Sequence, residues 1–154
     1  MIIGNLLEKL ELKDEKNLLI QGLPSTIEKC FAKLSYSKSV TPLLRTKKID
    51  FALLFAVNQQ QLNAILKEVF PAVHDRSKIW IAHPKNTSKI TSDLSRQNSW
   101  SALHENDMEV FSEYAIDHVW NAFMFRKSTE ENREEARQKA MEIAAAALAL
   151  EEEE

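Results

Sequence analysis

The sequence predicts an α/β fold: a three-layer sandwich with a mostly parallel sheet of five or six strands, a C-terminal antiparallel hairpin and a C-terminal helical tail. Two observations predict it. Short apolar segments alternate with segments of helical periodicity, which is the order that right-handed βαβ crossovers produce. In addition, residues 49–57 are apolar almost throughout, as expected of a central parallel strand that is covered on both faces.

Before this strand the pattern predicts a short amphipathic helix, a strand, a second helix and a weak second strand. In chain order these are residues 3–10, 17–21, 25–34 and 35–41. Ser25 and Glu28 have the spacing of a capping box, in which each side chain binds a free amide at the start of a helix. Cys30 lies on the apolar stripe of that helix.

After the central strand, Asn58 and Gln61 are typical of another helix start. The elements expected next are a strand over 78–83 with Trp80 in the core, a helix capped by Ser92 or Asp93, and strands over 108–114 and 122–126. Because only residues 115–121 join the last two strands, they are expected to form an antiparallel hairpin.

The composition changes after the hairpin. Residues 128–154 carry nine Glu against three basic residues, a net charge of −6, whereas residues 1–127 carry +3. We therefore divide the chain into an α/β domain, 1–127, and an acidic, alanine-rich helical tail, 128–154. Ala140, Ile143, Ala147 and Leu150 form a stripe that needs a partner. That partner is the domain body or the tail of a second chain in a homodimer; the alternative is a frayed extension.

Composition also excludes several classes of protein. With one cysteine, the chain forms neither an intrachain disulfide nor a tetrahedral cysteine zinc site, and its four histidines lack metal-ligand spacing. We expect no metal. No segment has the length and apolarity of a signal peptide or a membrane span, so the expected location is the cytoplasm, with no membrane partner. A net charge of +3 on the body is too weak to indicate nucleic acid.

Short motifs are spread over residues 80–126. They are Trp80, Pro84-Lys85, Ser92-Asp93-Leu94-Ser95-Arg96 and Asp117-His118-Val119-Trp120. In these the chain resembles short uncharacterised bacterial proteins with a domain of unknown function. Those relatives often continue with Ser-Gly where this chain has Asn121-Ala122. The plan of the elements resembles a reduced form of the Rossmann-like fold of S-adenosylmethionine-dependent methyltransferases. The resemblance implies a fold and no activity.

The chain departs from the methyltransferase pattern where the cofactor would bind. Such enzymes hold the cofactor with a glycine-rich turn after the first strand, because glycine permits a tight turn and close backbone approach. Here that turn is Gln21-Gly22-Leu23-Pro24, and residues 36–42 contain no acidic side chain to hold a ribose. We therefore expect no cofactor, and weak or no binding of S-adenosylmethionine and dinucleotides.

In open α/β sheets, ligands bind at the C-terminal ends of the strands. The candidate ligand-binding residues expected at that edge are His83, Lys85, Asp93 and Arg96, and two further candidates, Asp117 and Trp120, lie in the hairpin turn. Lys85 and Arg96 are the cations suited to an anion, and any ligand is expected to contact one of them. The alternatives are structural: Asp93 caps a helix, Asp117 accepts turn amides and Trp120 anchors packing.

Two functions from different classes fit these observations. The first is a non-catalytic binding or interaction module on a methyltransferase-like scaffold without the glycine-rich loop, with an unidentified protein or an anionic small molecule as partner. The alternative is a small-molecule-binding protein or methyltransferase-like enzyme that uses a site around Lys85, Asp93, Arg96 and Asp117. Fold does not decide between them, because function depends on the site.

Overall fold

A computed structural model describes residues 3–13, 15–32, 34–38, 48–90, 92–94 and 100–152. The strands are β1 (Leu18–Gln21), β2 (Ile49–Phe55), β3 (Val73–Pro84), β4 (Met108–Ala115) and β5 (Trp120–Lys127). The α-helices are α1 (Ile3–Lys9), α2 (Gln59–Val69), α3 (Ser101–Glu105) and α4 (Glu130–Glu152), and 3-10 helices cover Ser25–Phe31 and Phe70–Ala72.

The described strands form one sheet in the order β1-β2-β3-β5-β4. β1, β2 and β3 pair in parallel, while β5 pairs antiparallel with both β3 and β4. The sheet is therefore mixed, which corrects the expectation of a mostly parallel one: β5 inserts between β3 and β4, so the hairpin contributes two antiparallel pairings. β2 is an internal strand, as its apolar sequence predicts, but β3 occupies the middle.

Both faces of the sheet are covered, which gives three layers. Alternate residues of β2 point to opposite sides: Ala52 and Leu54 join a core cluster with Leu62 and Leu66 of α2. Phe51, Leu53 and Phe55 join a second cluster with Leu6 of α1 and Phe31 of the 3-10 helix; Cys30 is buried in the same cluster. Trp80 is fully buried, and its indole N–H donates to the carbonyl of Leu10 at 2.7 Å, which fixes the end of α1 against β3.

The second predicted helix and the weak second strand differ from expectation. Residues 25–31 form a 3-10 helix that follows Pro24, and no side chain caps its first turn, so the predicted capping box is wrong. Of residues 35–38, Ser37 alone bridges to Leu19, in parallel, with the Ser37 amide 2.8 Å from the Leu18 carbonyl. The rest of the predicted strand, residues 39–41, lies outside the described part.

The helix start at Asn58 is confirmed. Its side chain accepts the backbone N–H of Gln61 at 2.7 Å, and the Gln61 side chain accepts the N–H of Val57 at 2.8 Å. The helix predicted to begin at Ser92 or Asp93 is wrong in its start: residues 92–94 are not helical, and α3 begins at Ser101. Ser92 instead accepts the amide of Leu94 at 3.1 Å in a local turn.

The tail is helical, as predicted, and its first turn is anchored on the domain. Asn132 is fully buried, and its amide group donates to the carbonyls of Asp75 and Lys127 at 2.8 and 2.9 Å. Ala136, Ala140 and Ile143 line a cavity of about 280 Å³ against β4 and β5. Beyond Ala136, every described side chain of α4 is exposed, including Met141 at 71% and Leu148 at 60%. The helix thus rests on the body along its first turns and projects beyond it.

We predict that Gly22→Ala destabilises the fold. Gly22 has φ +73°, and a Cβ atom there would lie 2.8 Å from the carbonyl oxygen of Phe55. The left-handed conformation alone costs a residue with a side chain about 1–2 kcal/mol, and the contact with a backbone atom adds to it. Urea denaturation measures the loss. Gly22→Asn separates the causes, since asparagine tolerates left-handed backbone: if it is as stable as the native chain, the contact with Phe55 does not matter.

We also predict that Asn132→Ala lowers the free energy of unfolding by about 2 kcal/mol, because two part-buried hydrogen bonds, to the carbonyls of Asp75 and Lys127, are lost. The matched control is Gln138→Ala, which removes an exposed side-chain amide from the same helix and should change stability by less than about 0.5 kcal/mol. Equal effects of the two substitutions in chemical denaturation would show that the Asn132 side chain does not anchor α4.

Candidate functional site

The expected ligand edge is where β1, β2 and β3 end. The turn after β1 contains Gly22, β2 is followed by Ala56, and β3 ends at Pro84. The hairpin turn between β4 and β5 reaches the same edge, because Pro84 pairs with Trp120 and the amide of Lys85 donates to the carbonyl of Val119 at 2.7 Å. This edge therefore joins three strand ends and one hairpin turn.

At the end of β1, Gly22 packs the turn against the neighbouring strand. The Phe55 carbonyl occupies the space beside its Cα, so the residue serves the close approach of two backbones. Outside this turn lies a cavity of about 300 Å³, lined by Ile20, Gly22, Leu23, Glu28, Tyr36 and Lys38. The sequence does not indicate this cavity, since four of these residues lie on segments interpreted as a regular helix and two strands.

Asp93 has a structural partner on another element. One of its carboxylate oxygens accepts the backbone N–H of Gln59 at 2.7 Å, so Asp93 binds a backbone amide in the first turn of α2. An anionic side chain also interacts favourably with the positive end of the helix dipole. Asp93 thus holds residues 92–94 against the start of α2, a contact between segments 34 residues apart that local sequence patterns do not reveal.

Asp117 and Trp120 organise the hairpin turn. A single oxygen of Asp117 accepts the amides of Val119 and Trp120, both at 2.8 Å, which is an Asx turn. Trp120 is buried and packs edge-on against Phe55, with ring centroids 5.1 Å apart and an interplanar angle of 88°. In this structure both residues shape the turn and the core beneath it.

His83 is buried near the end of β3 on the face covered by α2. Its ring is stacked with Phe123 at 5.8 Å between centroids and tilted against Trp100 at 5.9 Å. Nδ1 lies 3.0 Å from the carbonyl oxygen of Pro84; because a carbonyl only accepts, Nδ1 carries the proton and the neutral ring leaves Nε2 as an acceptor. Nε2 is buried and has no hydrogen-bond partner.

Burial also sets the charge of this histidine. Removal from water lowers the pKa of His83 below its ordinary value, although the hydrogen bond to Pro84 and the negative charge of Glu113 act in the opposite direction. The imidazole is therefore held neutral near pH 7, with a buried acceptor at Nε2.

The remaining candidates are the two cations. Lys85 is half-exposed at the start of the loop after β3, and its backbone links that loop to the hairpin turn. Arg96 lies outside the described residues. The structure thus brings the backbones of Lys85 and Trp120 together beside His83. It places Asp93 at the start of α2, where the carboxylate binds a backbone amide of that helix.

Within the described part of the chain, no three or more His, Cys, Asp or Glu side chains are grouped so that they could hold a metal ion. No described helix combines the length and apolarity needed to cross a membrane.

No protein-family model matches the chain, and no curated protein is similar to it in sequence. Solved structures do share its fold. Mitomycin 7-O-methyltransferase MmcR is 10% identical with a TM-score of 0.51, covering 81% of this chain and 53% of its own. A ribosomal protein L11 methylase from Lactobacillus delbrueckii subsp. bulgaricus is 13% identical with a TM-score of 0.50, covering 81% and 77%.

A third structure, LepI in complex with SAM, is 18% identical with a TM-score of 0.46 and covers 81% of this chain and 39% of its own. The chain therefore spans about half or less of the MmcR and LepI chains. At such identities the similarity to MmcR and the L11 methylase concerns the fold alone: the chain has a methyltransferase-like α/β fold.

Proposed function

We propose that this chain is a non-catalytic binding module on a methyltransferase-like scaffold, with its ligand or partner at the C-terminal edge of the sheet. One observation carries the proposal: Gly22 in the turn after β1 is used to pack that turn onto the carbonyl of Phe55. A cofactor cradle needs glycines whose backbone faces the ligand. Here Leu23 and Pro24 follow, and the 3-10 helix begins at once.

The carboxylates at the edge support the same proposal. One oxygen of Asp93 is hydrogen-bonded to α2 and one oxygen of Asp117 is bonded twice within its own turn. Their positions follow from holding the backbone together. His83 is likewise buried in the core, packed against Phe123 and Trp100.

The proposal predicts that S-adenosylmethionine, its demethylated product and NAD bind with dissociation constants no tighter than about 1 mM, equivalent to about −4 kcal/mol. The physical reason is the closed turn at Gly22. Isothermal titration calorimetry on the full chain measures this directly. A dissociation constant near 1 μM for any of the three would contradict the proposal.

The alternative function is a small-molecule-binding protein or methyltransferase-like enzyme that uses Lys85, Asp93, Arg96 and Asp117. The alternative is consistent with the fold that the chain shares with MmcR and the L11 methylase. If a ligand binds in the calorimeter, Lys85→Ala tests whether it binds at this edge, where the substitution should weaken binding. Lys89→Ala removes the same charge from an exposed position four residues later and should leave the affinity unchanged.

The tail adds a second proposed contact. We propose that the appended segment 128–154 pairs with the same segment of a second chain, because its outer half carries large apolar side chains that the body does not cover. Met141 and Leu148 are seven residues apart and lie on one side of α4, separated by alanines that permit close approach of two helices. These apolar side chains stabilise the helix only if they pack against a partner.

This proposal predicts that the native chain is a dimer in multi-angle light scattering and that Leu148→Glu is a monomer. The matched control is Ala146→Glu, which adds the same charge to the opposite side of the exposed helix and should leave the dimer intact. A monomeric native chain at high protein concentration would contradict the pairing.

A further inference from the structure

The opposite edge of the sheet contains a cavity of about 410 Å³. It lies at the N-terminal ends of the parallel strands, because Asp50 and His74 are the second residues of β2 and β3. Arg126 reaches the same edge near the end of β5, which runs in the opposite direction. The volume is that of a small-molecule pocket, and it lies at the end of the sheet far from His83 and Lys85.

Positive charge dominates the described lining of this cavity. Five cations contribute: Lys13, Lys16, Arg76, Lys78 and Arg126. Three carboxylates oppose them: Glu15, Asp50 and Glu135. Lys13, Lys16 and Arg76 are exposed at the rim, whereas Lys78 and Arg126 are buried, with 9% and 4% of their surfaces accessible. Buried cations are rare in proteins unless a negative group compensates them.

Two of the carboxylates are fully engaged by the protein. Asp50 accepts the amide of Asn17 at 3.0 Å through one oxygen and faces Nε2 of His74 at 2.8 Å through the other. Glu15 lies 3.3 Å from Nζ of Lys78, which also donates to the carbonyl of Glu11 at 2.9 Å. These contacts engage Lys78 and His74. Arg76 contacts Glu131 and Asn132 of α4 as well as the third carboxylate, Glu135.

Glu135 is shared between two arginines. One of its oxygens accepts from Nη2 of Arg76 at 2.9 Å, and the other is 3.4 Å from Nη1 of Arg126. Burial opposes ionisation of this carboxyl group, but the charge of Arg126 and hydrogen bonds from the two arginines outweigh it and lower the pKa of Glu135. The Arg126 residue is only 4% exposed, and its guanidinium faces one Glu135 oxygen at 3.4 Å and the ring of Phe111 at 5.9 Å.

The guanidinium of Arg126 has an unused donor. Its Nε–H is buried and has no hydrogen-bond partner, although such a group normally binds an acceptor. Arginine binds phosphate and carboxylate groups with two parallel N–H donors, and Nε is one of the donors available for that geometry. We propose that this cavity binds a compact oxyanion of the phosphate type, held by Arg126 and by the cations at the rim.

The anion and Glu135 compete for the guanidinium of Arg126. Substitutions at Glu135 and at Arg126 should therefore change phosphate affinity in opposite directions. Glu135→Gln removes a negative charge from the cavity and should tighten phosphate binding about fivefold, equivalent to about 1 kcal/mol. Arg126→Lys keeps the positive charge but deletes Nε–H, and should weaken binding about tenfold. If Glu135 and Arg126 had purely structural roles, the two substitutions would not change phosphate affinity in opposite directions.

The measurement is a titration of the full chain with sodium phosphate, at constant ionic strength balanced with sodium chloride, followed by proton–nitrogen correlation NMR. We expect a saturable shift of the Arg126 Nε–H resonance and of backbone amides in 15–17 and 74–78. The matched controls are Glu134→Gln and Arg133→Lys, which make the same chemical changes on exposed neighbours of α4 outside the cavity and should leave the affinity unchanged.

Lys16→Met keeps the test decisive if a variant at Arg126 fails to fold, because Lys16 is exposed. It should weaken phosphate binding severalfold, while Lys67→Met on α2 should not. Three results would overturn the proposal: no saturable shift at constant ionic strength, shifts that map to residues 83–85 instead, or equal affinity in the native chain, Glu135→Gln and Lys16→Met.

Discussion

The constraint on which the structure depends is the burial of β2 and β3 on both faces. Six of the seven residues of β2 are buried, as are the last eight of β3. Strands that are apolar on both faces need cover on both sides of the sheet. α2 therefore covers one face, while α1 and the 3-10 helix cover the other. With the faces closed, two edges of the sheet remain for binding.

The two edges differ because of where the hairpin inserts. At the C-terminal edge, β3 ends in Pro84 and the hairpin turn closes over it, so Asp93 and Asp117 bind backbone amides. At the N-terminal edge, the antiparallel β5 places Arg126 beside the starts of β2 and β3, where His74 and Lys78 already lie. The antiparallel direction of β5 thus adds the charge of Arg126 to this edge.

Sequence patterns predicted the elements whose signals are local. The apolar run of β2, the helix start at Asn58 and the short hairpin loop each follow from adjacent residues. The capping box at Ser25 failed because Pro24 leads into a tight 3-10 helix, and the partner of Asp93 is a helix 34 residues away. The charged cavity was missed for the same reason, since its residues are spread from 13 to 135.

The acidic tail is part of this electrostatic arrangement. The body carries +3 and the tail −6, and their contact is specific: Glu131 and Glu135 bind Arg76, Glu135 faces Arg126, and Lys139 binds Glu11. The first turns of α4 therefore supply counter-charges that the N-terminal edge needs. Because one carboxylate links the cavity and the helix, the charge in the cavity and the seating of α4 on the body depend on each other. A group that takes Arg126 from Glu135 weakens one of the contacts that hold the helix, while Asn132 keeps its first turn in place.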